Sequence, residues 1–135
     1  MSAVVFPDPA VLVLDRLRPI IADQAFHHEV PIPRPDVFIR IYRTGGPRTG
    51  LVVDGAQLTV ESWAPTVAQA AANAAIVRAH LNALAEERTT PAIYRVDELS
   101  GPGELPDPAS ASRRVTWTVV VLVRGSTDPD LHPST

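Results

Sequence analysis

Four histidines, His27, His28, His80 and His132, have the broadest chemical repertoire of any side chains in this sequence. His27, His28 and Glu29 are consecutive, which gathers three possible metal ligands. Adjacent positions rarely converge on one ion, and no second His-x-x-x-His or acid-x-x-His element follows, so no metal site is expected. His80 falls on the polar side of a helical pattern. No serine or threonine sits in a Gly-x-Ser-x-Gly arrangement or another strand-turn-helix nucleophile signature. The run Thr44-Gly45-Gly46-Pro47-Arg48-Thr49-Gly50 invites a phosphate reading. It fits neither nucleotide-loop pattern, leads into a strand rather than a helix, and belongs to a chain without lysine, so a hairpin-like loop is expected instead. Asp97 and Glu98, with Glu104 and Asp107 soon after, could serve as general acid and base. Strand alternation puts Asp97 and Glu98 on opposite faces, so they cannot act as a pair on one substrate. No catalytic residue, cofactor or metal ligand is therefore assigned. What remains is Arg40, Arg43 and Arg48 on and beyond one strand end, a patch suited to acidic protein surfaces and less to DNA.

Composition narrows the classes further. All twelve basic side chains are arginine, and cysteine is absent, which removes disulfides, thiol catalysis and thiolate metal sites. A lysine-free, alanine-rich chain points first to a GC-rich coding sequence. Its physical consequence is that every cation is a planar fork able to grip carboxylates bidentately and to stack on rings. A net charge of -3 and a pI near 5.7 leave no global field for nucleic acid. With 135 residues, one domain is expected over 1–125, followed by a polar tail at 126–135. No apolar run approaches the roughly 18 residues of a membrane span, and the start lacks a basic segment before its short apolar stretch, so neither anchor nor signal peptide is expected.

These residues must be positioned by a few readable elements. Asp8 and Pro9 form an N-cap and first-position pair, and Val11, Leu14, Leu17 and Ile21 follow at helical spacing. Pro19 predicts a break near 18–20, with a last turn reaching about Asp23. Residues 24–36 carry Pro-Ile-Pro-Arg-Pro-Asp and read as an ordered extended connector. Val37 to Tyr42 alternates, with Val37, Ile39 and Ile41 facing the core and Phe38, Arg40 and Tyr42 facing out. Next come a short strand, a turn at Asp54 and Gly55, and a strand with Leu58, Val60 and Ser62 inward and Thr59, Glu61 and Trp63 outward. An antiparallel pairing that sets Phe38 against Trp63, Arg40 against Glu61 and Tyr42 against Thr59 makes the outward face self-consistent. Thr66 and Gln69 have capping-box spacing before a helix expected from about Thr66 to Arg88, buried along Val67, Ala70, Ala74, Val77, Leu81 and Leu84. A second stripe of Ala72, Ile76, Ala79 and Ala83 predicts close approach by another backbone. Ile93 to Leu99 is a strand, Ser100 to Ala109 a loop, and Arg113 to Gly125 a long strand whose near-continuous apolar run predicts a central place with both faces buried.

Several strings, taken in order, resemble the tail terminator proteins of long-tailed phages, especially those infecting actinobacteria. They are PRPDVFIRIYRTGGPR, LTVESWA, the alanine-rich helix with RAHLNAL, YRVDELSGPGELPDP and RRVTWTVVVLVRG, spanning about Asp8 to Gly125. The resemblance implies an α+β (α/β) subunit with the order α-β-β-β-α-β-β, its helices packed on a mostly antiparallel or mixed sheet. It implies a homohexameric ring at the top of the tail, assembled in the host cytoplasm and carried in the virion at the tail-neck junction. Such a ring caps the tail tube protein, ends its polymerisation and offers a surface to head-completion or connector proteins. It has no enzymatic activity, membrane contact or specific nucleic-acid binding, although DNA passes through it. The family carries no catalytic motif, so only interface candidates on the loops and extended segments of this chain are named: Arg34, Arg40, Arg43, Thr44, Gly45, Gly46, Pro47, Arg48, Trp63 and Glu104. Another neck component, a stopper or adaptor, is the nearest alternative, and a small α/β ligand-binding domain a more distant one.

Overall fold

Alternating apolar residues, wherever the chain extends, build a five-stranded sheet in this computed structural model, which describes residues 3–50, 52–86, 93–105 and 113–127. Among the described residues the elements are β1 (Val4–Val5), α1 (Pro9–Ile20), β2 (Phe26–His27), β3 (Phe38–Gly45), β4 (Val53–Ala64), α2 (Val67–Ala83), β5 (Ile93–Glu104), β6 (Arg113–Arg124) and β7 (Ser126–Thr127). A short 3-10 turn, Leu84–Glu86, follows α2. The main sheet runs β2-β3-β4-β6-β5, antiparallel except that β2 lies parallel to β3. The class is α+β with a mixed sheet and two helices. The order differs from α-β-β-β-α-β-β, because two-residue strands enter at both ends and before β3, and β4 is one strand rather than two.

The β3–β4 register sets Phe38 opposite Trp63, Arg40 opposite Glu61 and Tyr42 opposite Thr59, as the alternation predicts. The turn expected at Asp54 and Gly55 does not form. Both lie inside β4, which pairs β6 without a break from Val53 opposite Arg124 to Ala64 opposite Arg113. Twelve consecutive ladder positions outweigh a two-residue turn preference. The reversal falls instead in residues 46–52, where Thr49 N and Gly50 N both donate to Val53 O.

Both helix starts are as expected. Asp8 Oδ1 accepts from Ala10 N and Val11 N, and Thr66 Oγ1 accepts from Gln69 N. The helix α1 stops at Ile20 rather than near Asp23, with Pro19 in its last turn. Its buried face is Ala10, Val13, Leu14, Leu17 and Ile21, while Val11 points outward. The helix α2 buries Ala70, Ala74, Val77 and Leu81 and gives way to the 3-10 turn at Leu84; residues 87–88 of its expected span lie outside the described residues. Its second stripe, Ala72, Ile76, Ala79 and Ala83, is exposed, so no backbone among the described residues covers it.

The helices pack on one face of the sheet, over Ile39, Ile41, Leu58, Val60, Trp117, Val119 and Val121. Ser62 Oγ donates to Ala70 O at 2.8 Å inside that layer and ties β4 to α2. In β6 the odd positions Val115 to Val123 are buried, whereas Thr116, Thr118, Val120 and Leu122 are only half-buried. The expectation that both faces of β6 are buried is corrected: the strand is interior to the sheet, but helices cover one side. The edge strand β5 runs on through Ser100, Gly101, Pro102, Gly103 and Glu104, where a loop was expected. An edge tolerates proline because one side of the strand needs no donor. The register shifts at Glu98/Ser100 and Ser100/Gly103 mark that irregular stretch. Asp107 and the rest of the expected loop lie outside the described residues. Ser126 and Thr127, the first residues of the expected free tail, pair antiparallel with Val4 and Val5; 128–135, including His132, are outside the described residues.

Candidate functional site: a buried carboxylate among arginines and aromatics

The sheet face opposite the helices carries the densest group of chemically capable side chains. Three ladder rows build it from β3, β4 and β6: Phe38, Trp63 and Arg114; Arg40, Glu61 and Thr116; Tyr42, Thr59 and Thr118. Period-two alternation puts all nine on one face, so the site follows from the register. Glu61 is at the centre and only 3% exposed. It accepts from Trp63 Nε1 at 3.3 Å, Arg114 Nη1 at 3.3 Å, Tyr42 OH at 3.4 Å and Arg40 Nη1 at 3.5 Å. A buried carboxylate needs such partners, and two guanidiniums supply the compensating charge.

Aromatic packing closes this face. Trp63 stacks on Phe38 with ring centroids 5.4 Å apart, and the guanidinium carbons of Arg34 and Arg114 lie 4.9 and 5.0 Å from the Trp63 ring centroid. Arg40 sits 3.8 Å from the Tyr42 ring centroid. Trp63, expected outward, does stand on the outer face, but these neighbours leave it 5% exposed. Burial lifts the Tyr42 phenol above its ordinary pKa, the Glu61 carboxylate adds to that shift, and Arg40 opposes it. The phenol therefore holds its proton as a donor to Glu61.

A second cluster fixes the β3–β4 hairpin. Arg43 Nη1 and Nη2 each lie 2.9 Å from an oxygen of Asp54, a bidentate pair. The same guanidinium donates from Nε to Gly45 O at 3.0 Å and from Nη2 to Gly46 O at 2.7 Å. Thr44 Oγ1 donates to Gln57 O at 3.4 Å, and Pro47 O accepts from Gly55 N at 3.2 Å. Arg48 bridges to Asp54 through the backbone, donates from Nε to Gly50 O at 2.7 Å, and stands 5.5 Å from the Phe6 ring centroid. Gly46 takes a φ of +90° where the chain reverses.

Of the ten interface positions expected from the sequence, Arg34, Arg40 and Trp63 meet in the first cluster. Arg43 to Arg48 form the second, and Glu104 stands apart at the opposite edge of the sheet, opposite Val115 and 4.0 Å from Arg113. Arg40 and Arg43 hold intramolecular carboxylates, so their forks act first within the subunit. Asp97 and Glu98 separate as predicted: Glu98 is gripped by both Nε and Nη2 of Arg78 on α2, while Asp97 pairs with Arg95. The sequence pattern misses Arg114 and Asp54 as partners, because Arg114 joins Glu61 only through the β4–β6 pairing and Asp54 reads as a turn residue. Between the two clusters lies a cleft of about 810 Å³ lined by residues 4–9, His28, Glu29, Arg40, Tyr42, Arg43 and Asp54. His28 Nδ1 is 3.2 Å from Ile41 O, and Arg40 Nε donates to His28 O, so this histidine anchors the connector to β3. Among the described residues, no group of three or more His, Asp or Glu is placed to hold a metal ion. No described helix is long and apolar enough to cross a membrane.

No protein-family model matches the sequence, and no curated protein matches it.

Proposed function

We propose that this chain is a structural subunit of a phage tail terminator: a homohexameric ring that caps the tail tube, ends its growth and receives the head-completion proteins. The observation that carries this reading is the outer surface of α2. That helix, VAQAAANAAIVRAHLNA, carries a second apolar stripe on the side away from the sheet, where Ala72, Ile76, Ala79 and Ala83 are exposed, Ile76 by 48%. Two apolar stripes on opposite sides call for cover on both, and among the described residues only one of them has it. A ring neighbour or a tube subunit supplies the other. The ordered strings that resemble the terminator family support the choice of assembly, and the two helices lying on a mixed sheet accord with the subunit architecture that the resemblance implies.

Capping works by occupancy. One ring face reproduces the contact that a further tube ring would make, and the other lacks the surface on which another could add. The arginine-carboxylate clusters keep that subunit stiff, so binding costs little reordering. Electron microscopy of tails assembled without the protein tests the reading: tails of uncontrolled length that fail to join heads are expected. Tails of normal length joined to heads would overturn it.

A further inference from the structure

We infer that neighbouring copies of this chain join head to tail by seating Ile32 of one subunit in the apolar groove between α2 and β5 of the next. This deepens the ring assembly proposed above and rests on it. Ile32 is 98% exposed, the most exposed large apolar side chain among the described residues, and Val30 beside it is 36% exposed. It sits in Pro31-Ile32-Pro33, whose proline rings limit the backbone on both sides. An isoleucine held out by a stiff segment is prepaid in entropy, which favours a fixed partner over casual exposure.

A receptor of matching character lies across the sheet. The groove is open to solvent, has a volume of about 340 Å³ and is walled by Val67, Ala71, Ala75, Pro102 and Val115, with Glu104 and the Glu98-bound Arg78 also lining it. The alanines let a branched side chain approach the helix closely, and the volume admits the isoleucine with part of its flanking prolines. Charge agrees with shape. Arg34 follows the knob two residues on, and Glu104 has a side chain 47% exposed, its nearest described cation being Arg113 at 4.0 Å. Seating Ile32 brings Arg34, which lies over the Trp63 ring of its own chain, toward Glu104 of the next, so the neighbour's carboxylate adds to contacts that Arg34 already makes.

The positions of knob and groove decide the symmetry. The connector adjoins β2 at one edge of the sheet, and the groove lies under β5 at the other edge. Contact between different surfaces is heterologous, so it propagates from copy to copy and closes as a ring when the rotation allows. An isologous dimer would instead exchange both knobs within one pair, and a chain carrying cysteine at both knob and groove would then stop at a covalent dimer.

The absence of cysteine makes the test clean. Ile32→Cys and Ala75→Cys proteins, each made alone, are mixed and oxidised; the expected product is a covalent dimer containing one chain of each kind. The double variant is expected to give a ladder ending at the closed ring. Crosslinks joining two Ile32→Cys chains, crosslinks only within one chain, or none at all would overturn the inference. In parallel, Ile32→Asp is expected to weaken assembly at least tenfold by mass photometry while leaving the thermal midpoint unchanged at concentrations where both proteins are dissociated. Exchanging the charges in Arg34→Glu with Glu104→Arg restores assembly that Arg34→Glu alone weakens. Wild-type rings that persist in Ile32→Asp overturn the knob and leave the ring standing, whereas a wild-type protein that stays monomeric with and without tube protein overturns both.

Discussion

Replacing Glu61 tests whether the outer sheet face is held by charge or merely by packing. The carboxylate is 3% exposed and receives four donors at 3.3 to 3.5 Å, two of them guanidiniums. Each contact is long, so none dominates and the group acts collectively. Glu61→Gln keeps the volume and one acceptor but removes the negative charge facing Arg40 and Arg114, and is expected to cost about 1 to 3 kcal/mol. Glu61→Ala also strands the Trp63 indole N–H and leaves two cations facing each other. Loss of one partner in a buried pair costs about 3 to 5 kcal/mol; because the Arg40 and Arg114 side chains keep 26% and 21% exposure and can turn to water, about 2 to 4 kcal/mol is expected. Urea denaturation followed by tryptophan fluorescence measures both, at one fixed protein concentration so that assembly does not move the midpoint. Added salt should recover part of the Glu61→Gln loss by screening the exposed arginines. A double-mutant cycle between Glu61→Gln and Arg114→Met should show coupling of at least about 0.5 kcal/mol. A Glu61→Gln protein as stable as wild type while Glu61→Ala is destabilised, or zero coupling, would refute the electrostatic account and leave only packing of Phe38 and Trp63.

Asp54→Asn should cost about 1 to 3 kcal/mol and open the hairpin to trypsin at Arg48, because the bidentate pair with Arg43 is lost; equal cleavage of variant and wild type would count against that lock. Gly46→Ala should destabilise by more than about 1 kcal/mol, since φ is +90° and the new Cβ would stand 2.6 Å from Gln57 N and against Gly55 O, whereas Gly50→Ala, with open space around it, should stay within about 0.5 kcal/mol; denaturation midpoints compare the two. Tyr42 has a raised folded pKa, so the native state keeps its proton after the unfolded chain has lost it, and stability should fall as pH rises past 10; Tyr42→Phe should flatten that slope in alkaline denaturation. Glu98 is held below its ordinary 4.5 by hydrogen bonds from Arg78, so its contribution is complete above that value and is lost as pH falls through the lowered one; acid denaturation of Glu98→Gln should lack the corresponding step.

The parts of this fold legible in the sequence are those where local pattern and distant pairing agree. Alternation in 37–42 and 58–63 predicts the β3–β4 register, because side chains on one face must match across the pair. Asp8 and Thr66 predict their helix starts, since a cap needs only residues two or three positions away. Where a local signal competes with a long-range one, the local signal loses. Asp54-Gly55 has turn chemistry, yet the ladder to β6 holds Gly55 opposite Leu122 and Arg43 claims the Asp54 carboxylate. Ser100 to Glu104 has loop composition, yet the edge of the sheet accommodates it as strand. The candidate site was legible by residue type but not by partner. Arg40 and Trp63 follow from the strand pattern, while Arg114, 53 residues beyond Glu61, joins them only through the β4–β6 pairing. The expected arginine grip on a neighbour also changes meaning, since Arg40 and Arg43 hold carboxylates of their own subunit.

That change bears on how the chain can assemble. Forks already engaged inside a subunit contribute little new energy at an interface, but they hold the surrounding backbone in one shape. Arg40 donates to His28 O and stacks on Tyr42, which fixes the root of the connector carrying Ile32. On the far edge Arg78 grips Glu98, which fixes β5 against α2 and so the walls of the groove. Two rigid and dissimilar surfaces at opposite ends of one sheet are what a closed ring requires, because an angular error at each contact accumulates around the circle. In the proposed ring, loosening either fork should therefore broaden the distribution of ring sizes before it abolishes contact between subunits.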